Sequence, residues 1–147
     1  MKKIGIYPGS FDPLHEGHLA IIKKALSLLD KLYVVVTYNP DKDNLSFINE
    51  RFQKVSKALK NEDKIVVLLN KNKLTADLAK EIEAKFLIRS ARNNLDYQYE
   101  LELAAANKSL NSSLETILIF PNYKDINYSS TLERHLKKIR RLDVKVS

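Results

Sequence analysis

Five short runs rich in Val, Ile, Leu, Phe and Tyr recur along this chain, at residues 3–7, 32–38, 64–69, 86–88 and 116–120. Segments with apolar residues at helical spacing separate them. The first begins near His18, with Leu19, Ile21, Ile22, Ala25, Leu26 and Leu29 on one stripe. A second starts at about Asn49 and uses Phe52, Val55 and Leu59, and a third follows Thr75, read as its N-cap, with Leu78, Ala79 and Ile82. The fourth covers about 95–110. The last starts at Ser130, which with Glu133 reads as a capping box, and Leu132, Leu136 and Ile139 are expected to form its buried stripe.

Strand and helix thus alternate five times. Consecutive strands running the same way need crossovers, and right-handed crossovers lay helices on both faces of the sheet. The expected fold is α/β: a single Rossmann-like domain over residues 1–147, with a five-stranded parallel sheet between helices. No linker, repeat or low-complexity tract interrupts it.

The composition removes several chemistries. With no cysteine, disulfides, thiolate metal sites and cysteine nucleophiles are excluded. Lys2 and Lys3 have no sustained apolar core behind them, so the start reads as a poor signal peptide. No run approaches the roughly 20 apolar residues of a membrane span, and a cytoplasmic protein is expected. The net charge of +7 suits nucleic acid, a membrane surface or anionic small molecules. Its one dense cluster, residues 134–141, reads as the solvated face of the last helix. A basic RNA- or DNA-binding module stays a rival, although no aromatic-rich RNA platform is present.

In open parallel sheets ligands bind beyond the carboxyl ends of the strands. Five connections are therefore worth searching: residues 8–18, 39–43, 70–75, 89–92 and 121–131. They hold a lysine, two arginines, one or two histidines and several hydroxyls, a set that suits a polyphosphate. The three glycines make no GxGxxG, and no GxxxxGK[ST] occurs. Instead Gly9 can let backbone approach a phosphate, Ser10 adds a hydroxyl, and His18 lies where a helix N-terminus favours an anion. His15 and His18 could form half a zinc site, but His135 is the only other histidine and no third ligand is apparent. Taken singly, Lys42 could be a solvated loop lysine, Arg89 a structural ion pair, and the hydroxyls at 129–131 a helix cap.

Together these residues resemble a known pattern. Tyr7-Pro8-Gly9-Ser10-Phe11-Asp12-Pro13 with Gly17-His18, Lys42, Glu50-Arg51, Arg89 with Arg92, residues 96–100, Asn107 and Ser129-Ser130-Thr131 are similar to the phosphopantetheine adenylyltransferases of the [HT]xGH nucleotidyltransferase superfamily. The resemblance covers nearly the whole chain. It implies reversible adenylyl transfer from ATP to 4′-phosphopantetheine, giving dephospho-coenzyme A and pyrophosphate. It also implies Mg2+ carried mainly by the ATP phosphates, no protein-ligated metal, and a homohexamer. His18 would stabilise the transition state at the α-phosphate. The ATP contacts implied are Ser10, Phe11, His18, Ser90, Ala91, Arg92, Glu100, Asp125, Ile126, Asn127, Tyr128, Ser129, Ser130 and Thr131. The acceptor contacts implied are Ser10, Lys42, Thr75 and Arg89. Other superfamily transferases, using CTP or another acceptor, are the nearest rivals. Three departures stand out: His15 where the family mostly has Thr, Ser90 where it usually has Gly, and Thr75 where it usually has an apolar residue.

Overall fold

The computed structural model describes residues 1–38, 47–122 and 130–146. Strands β1 (Ile4–Gly9), β2 (Lys31–Thr37), β3 (Ile65–Asn70), β4 (Phe86–Arg89) and β5 (Glu115–Leu118) alternate with helices. The helices are α1 (Glu16–Leu26), α2 (Ile48–Ala58), α3 (Thr75–Glu81), α4 (Asn94–Leu110) and α5 (Ser130–Val146). All strand pairs are parallel, in the order β3-β2-β1-β4-β5.

Alternation along each strand divides its apolar side chains between two faces. Tyr7, Val34, Val36 and Ile88 join Ile21, Ile22 and Ala25 of α1 and Val55 of α2 in one core. Their neighbours Ile6, Val35 and Leu87 join Ala76, Leu78 and Ala79 of α3 in the other. Both faces of the sheet are therefore covered, as a parallel sheet requires. The chain builds outward from β1 to β3, then returns to the opposite edge of β1 for β4. Connections leaving β1 and β4 run to opposite faces, and a crevice opens between them at Gly9 and Arg89.

β1 runs past the expected residue 7 because its pairing with β2 continues to Gly9↔Val36. Pro8 is tolerated since pairing with β4 ends at Ile6↔Leu87, leaving no ladder bond on that side for proline to remove. Thr75 is the first residue of α3 rather than its cap. The extended residue is Leu74 (φ −67°, ψ 142°), and no side chain caps it. The reversal is made earlier, where the Asn70 side chain donates to the Lys73 carbonyl and accepts from the Lys73 N–H, both at 2.9 Å. Ser130 is the first described residue of α5. The expected buried stripe of α5 is not buried. Leu132, Leu136 and Ile139 are 42%, 44% and 55% exposed, and α5 joins neither core. Helical periodicity names an apolar face without naming what covers it.

Candidate active site

Beyond the ends of β1 and β4 lies a cleft in two halves that share Pro8, Gly9, Arg89 and Tyr99. One half, of about 440 Å³, is lined by His15, Gly17, His18, Ser90, Arg92 and Glu100. The other, of about 730 Å³, is lined by Ser10, Thr37, Asn70, Lys71, Lys73 and Thr75. A hollow of about 600 Å³ near Met1, Lys85 and Ser113 lies at the opposite end of the sheet, away from these groups.

His18 is held from three directions. It is the third residue of α1, and its Nδ1 accepts the His15 backbone N–H at 3.2 Å. His15 is the N-cap, its own Nδ1 accepting the Gly17 N–H at 3.0 Å. The two imidazoles stack with centroids 3.8 Å apart, and the Phe11 ring meets His18 edge-on at 4.9 Å. Burial first, and then the charge of His15, push the His18 pKa down to about 4. The ring is therefore neutral near pH 7. With Nδ1 accepting, its proton sits on Nε2, which is the N–H it can offer a ligand. A side chain on Gly17 would strike His15 Cε1 at 2.8 Å, so the absence of a Cβ permits the stack.

Phe11 occupies the left-handed region (φ 46°), a conformation that costs a bulky residue on the order of 1–3 kcal/mol. Its ring is 2% exposed and also packs edge-on against Tyr7 at 5.6 Å. A Cβ on Gly9 would come within 3.1 Å of that ring, so Gly9 makes room for Phe11. Ser90, by contrast, has no positive φ, so serine there introduces no backbone strain.

Arg89 closes the septum between the halves. Its Nε and Nη2 each donate to one Glu100 carboxylate oxygen at 2.8 Å, a side-on bidentate pair. Burial works to lower its pKa, but the hydrogen bond and charge of Glu100 outweigh that and hold it above its ordinary value. Burial also pushes the nearby Tyr7 hydroxyl up to about 12, against the opposing pull of Arg89. Arg92 is looser, with its Nε 3.4 Å from Asp96 and its side chain 69% exposed.

The sequence-derived candidates thus divide by place. His18, Ser90, Arg92 and Glu100 meet in one half, Ser10 and Thr75 in the other, with Arg89 between them. Phe11 and Ala91 are buried, so either could meet a ligand only through its backbone. Ser130 and Thr131 are exposed at the start of α5 and line neither half. Lys42 and Asp125, Ile126, Asn127, Tyr128 and Ser129 lie outside the described residues. Sequence reasoning passed over His15 as a cap and stacking partner, since histidine is not among the residues preferred at an N-cap and the helix was expected to begin near His18. It also missed the pairing of Glu100 with Arg89, which no local pattern announces.

The cytidylyltransferase-like family matches residues 6–136. The phosphopantetheine adenylyltransferase of Mycoplasma capricolum is 39% identical over 135 residues, spanning 92% of this chain and 96% of that one. Its Helicobacter pylori counterpart is 39% identical over 136 residues, 92% and 86% of the two chains. This chain belongs to the phosphopantetheine adenylyltransferase family. More distant structures share the architecture alone. Pantoate-β-alanine ligase from Francisella tularensis superposes with a TM-score of 0.58 at 20% identity, over 90% of this chain and 65% of that one. The lipopolysaccharide core biosynthesis protein of Thermoplasma volcanium gives 0.58 at 20% identity, over 88% of this chain and all of that one. Among the described residues no helix is long and apolar enough to cross a membrane.

Nor do the described residues contain a group of three or more His, Asp or Glu able to hold a metal ion. The cleft donors are guanidinium, imidazole and hydroxyl groups, which fit phosphate oxygens better than a hard cation.

Proposed function

We propose that this adenylyltransferase-family chain moves the adenylyl group of ATP to 4′-phosphopantetheine, with the transferred α-phosphate beside His18. The observation that carries the reading is the two-part cleft at the switch point, with neutral His18 in one half and Arg89 in the septum. ATP would occupy the His18 half, contacting Ser90, the Ala91 backbone and Arg92, and would extend beyond that half to meet the segment from Asp125 to Thr131, with Ser10 and the Phe11 backbone alongside. The acceptor would lie in the other half, against Ser10, Thr75 and Lys42, with its phosphate toward Arg89.

An acceptor phosphate oxygen attacks the α-phosphorus, the new P–O bond forms, and the bond to pyrophosphate breaks. No strong base is needed, because the attacking group is already an anion. Positioning and charge stabilisation at the α-phosphate carry the rate. Neutral His18 donates its Nε2–H to an oxygen that gains charge, without having to lose a proton itself. Mg2+ would enter with the triphosphate, neutralising its charge, and the chain's own residues would hold the phosphate oxygens. Glu100 would act through Arg89. A homohexamer in the cytoplasm, with neither nucleic acid nor membrane as partner, belongs to the same reading.

Pyrophosphate release with ATP and 4′-phosphopantetheine, run beside CTP and other phosphorylated acceptors, is the test. Dephospho-coenzyme A as the product supports the assignment. Turnover only with another nucleotide or acceptor would move the chain to a different specificity. Binding of mixed oligonucleotides that weakens steeply with salt, without turnover, would favour the basic-module reading.

A further inference from the structure

We propose that Arg51 is a positioning residue for this reaction, holding the Ser10 carbonyl and, through it, the Phe11 turn against which His18 is seated. The inference rests on the reading of His18 given above. Arg51 projects from α2, is 5% exposed, and lines neither half of the cleft. Its Nη1 donates to the Ser10 carbonyl and, at 3.3 Å, to the Thr37 carbonyl. One guanidinium thus bridges the chain just past the end of β1 and the last residue of β2. Ser10 lies beyond the paired register of β1, where a carbonyl needs a partner from elsewhere.

The Ser10 carbonyl shares a rigid peptide plane with the Phe11 nitrogen. Fixing that plane fixes the reference from which the Phe11 φ of 46° turns. A strained conformation persists only where its surroundings over-determine it. Here the ring side is held by Tyr7 and by the space above Gly9, and the backbone side by Arg51. The ring so placed meets His18 edge-on at 4.9 Å. The mechanical path therefore runs from Arg51 to Ser10, Phe11 and then the imidazole.

Arg51→Gln and Arg51→Lys should be compared by steady-state kinetics and by the Hε1 resonance of His18 in the ligand-free protein. In Arg51→Gln, kcat should fall roughly 10- to 100-fold, the cost of a small misplacement at the reacting centre. Its KM for ATP should stay within about threefold of wild type, since a lost positioning contact acts on the transition state. Arg51→Lys should recover part of kcat, because an ammonium can still donate to a carbonyl. The His18 resonance should shift in Arg51→Gln as the Phe11 ring moves, and less in Arg51→Lys.

A folded Arg51→Gln with wild-type kcat and an unmoved His18 resonance overturns the proposal. So does a Lys variant no better than Gln, with losses that follow the unfolded fraction. If Arg51→Gln does not fold, Arg51→Lys decides alone: reduced kcat with a shifted resonance supports the proposal, and wild-type values for both overturn it. The resonance reads the Arg51–Phe11–His18 link even if the acceptor assignment fails.

Discussion

His18 and Arg89 are each held by other side chains that are themselves packed in place, whereas the opposite half of the cleft is shaped by a turn that the Asn70 side chain closes and that exposed residues edge. His18 is stacked on His15, backed by Phe11 and locked by a backbone N–H. Arg89 is clamped by buried Glu100. In the other half the Asn70–Lys73 turn supplies the form, while Lys71, Asn72 and Lys73 face solvent. The contrast follows the chemistry proposed for each half. A transferred phosphate demands placement to a fraction of an ångström, while a flexible acceptor arm can be held by a more forgiving surface.

The largest expected effect is on the preformed half. His18→Ala should lower kcat by about 10²–10³, corresponding to about 2.7–4 kcal/mol, with a smaller change in ATP affinity. Pyrophosphate-release kinetics check it, and a loss under about tenfold would take the decisive role away from this half.

Next comes the clamp. Glu100→Ala leaves Arg89 mostly buried without its carboxylate, which should cost about 3 kcal/mol, the lower end for such a pair because the Arg89 side chain is 23% exposed. Urea denaturation gives the value. An unchanged midpoint would mean that solvent or another group replaces Glu100 and that the septum is not rigid.

A smaller effect depends on pH. His18 has a folded-state pKa of about 4 against an ordinary 6.5. Between those values the unfolded chain binds a proton that the native chain refuses. This contribution to stability is therefore intact above about pH 6.5, declines as pH falls toward 4, and levels off once native His18 is itself protonated. His18→Gln should flatten that part of the stability–pH curve, measured by thermal unfolding at pH 7 and pH 5. Identical curves for variant and wild type would remove burial of a neutral His18 as a cause.

The smallest change belongs to the looser half. Lys73 pairs with Glu81 at 2.7 Å, but both side chains are about half exposed, at 50% and 53%. Lys73→Ala should cost under about 1 kcal/mol. A loss matching that of Glu100→Ala would erase the contrast between the halves.

Much of the fold was legible because apolar alternation and helical spacing are local signals. Among the described residues the five strands and five helices lie where periodicity puts them, with most ends displaced by one to three residues, as at Pro8, at Phe120 and at both ends of α1, which runs from Glu16 to Leu26 rather than from His18 to Leu29. Those displacements depend on which neighbour a strand pairs with and on the side chain that closes a turn. The motif around His18 was equally visible, since its residues are near neighbours in the chain. The pairing of Glu100 with Arg89, the reach of Arg51 to the Ser10 carbonyl and the capping and stacking of His15 were not, because each depends on a partner chosen by packing. The exposed stripe of α5 shows the same boundary from the other side: its pattern was read correctly and its burial was not.

By itself, the sequence determined the order of strands and helices, the exclusion of thiol chemistry and the phosphate-seeking residues at the strand ends. Those properties follow from composition and short-range spacing. Only the tertiary structure decided that β4 returns beside β1 and opens the crevice at Gly9 and Arg89. It also decided that Glu100 faces Arg89 and that Arg51 reaches across to the Ser10 carbonyl. Such contacts join residues far apart in the chain, and burial gives them their force: inside the sheet's end a cation or a carbonyl must find its partner in the protein.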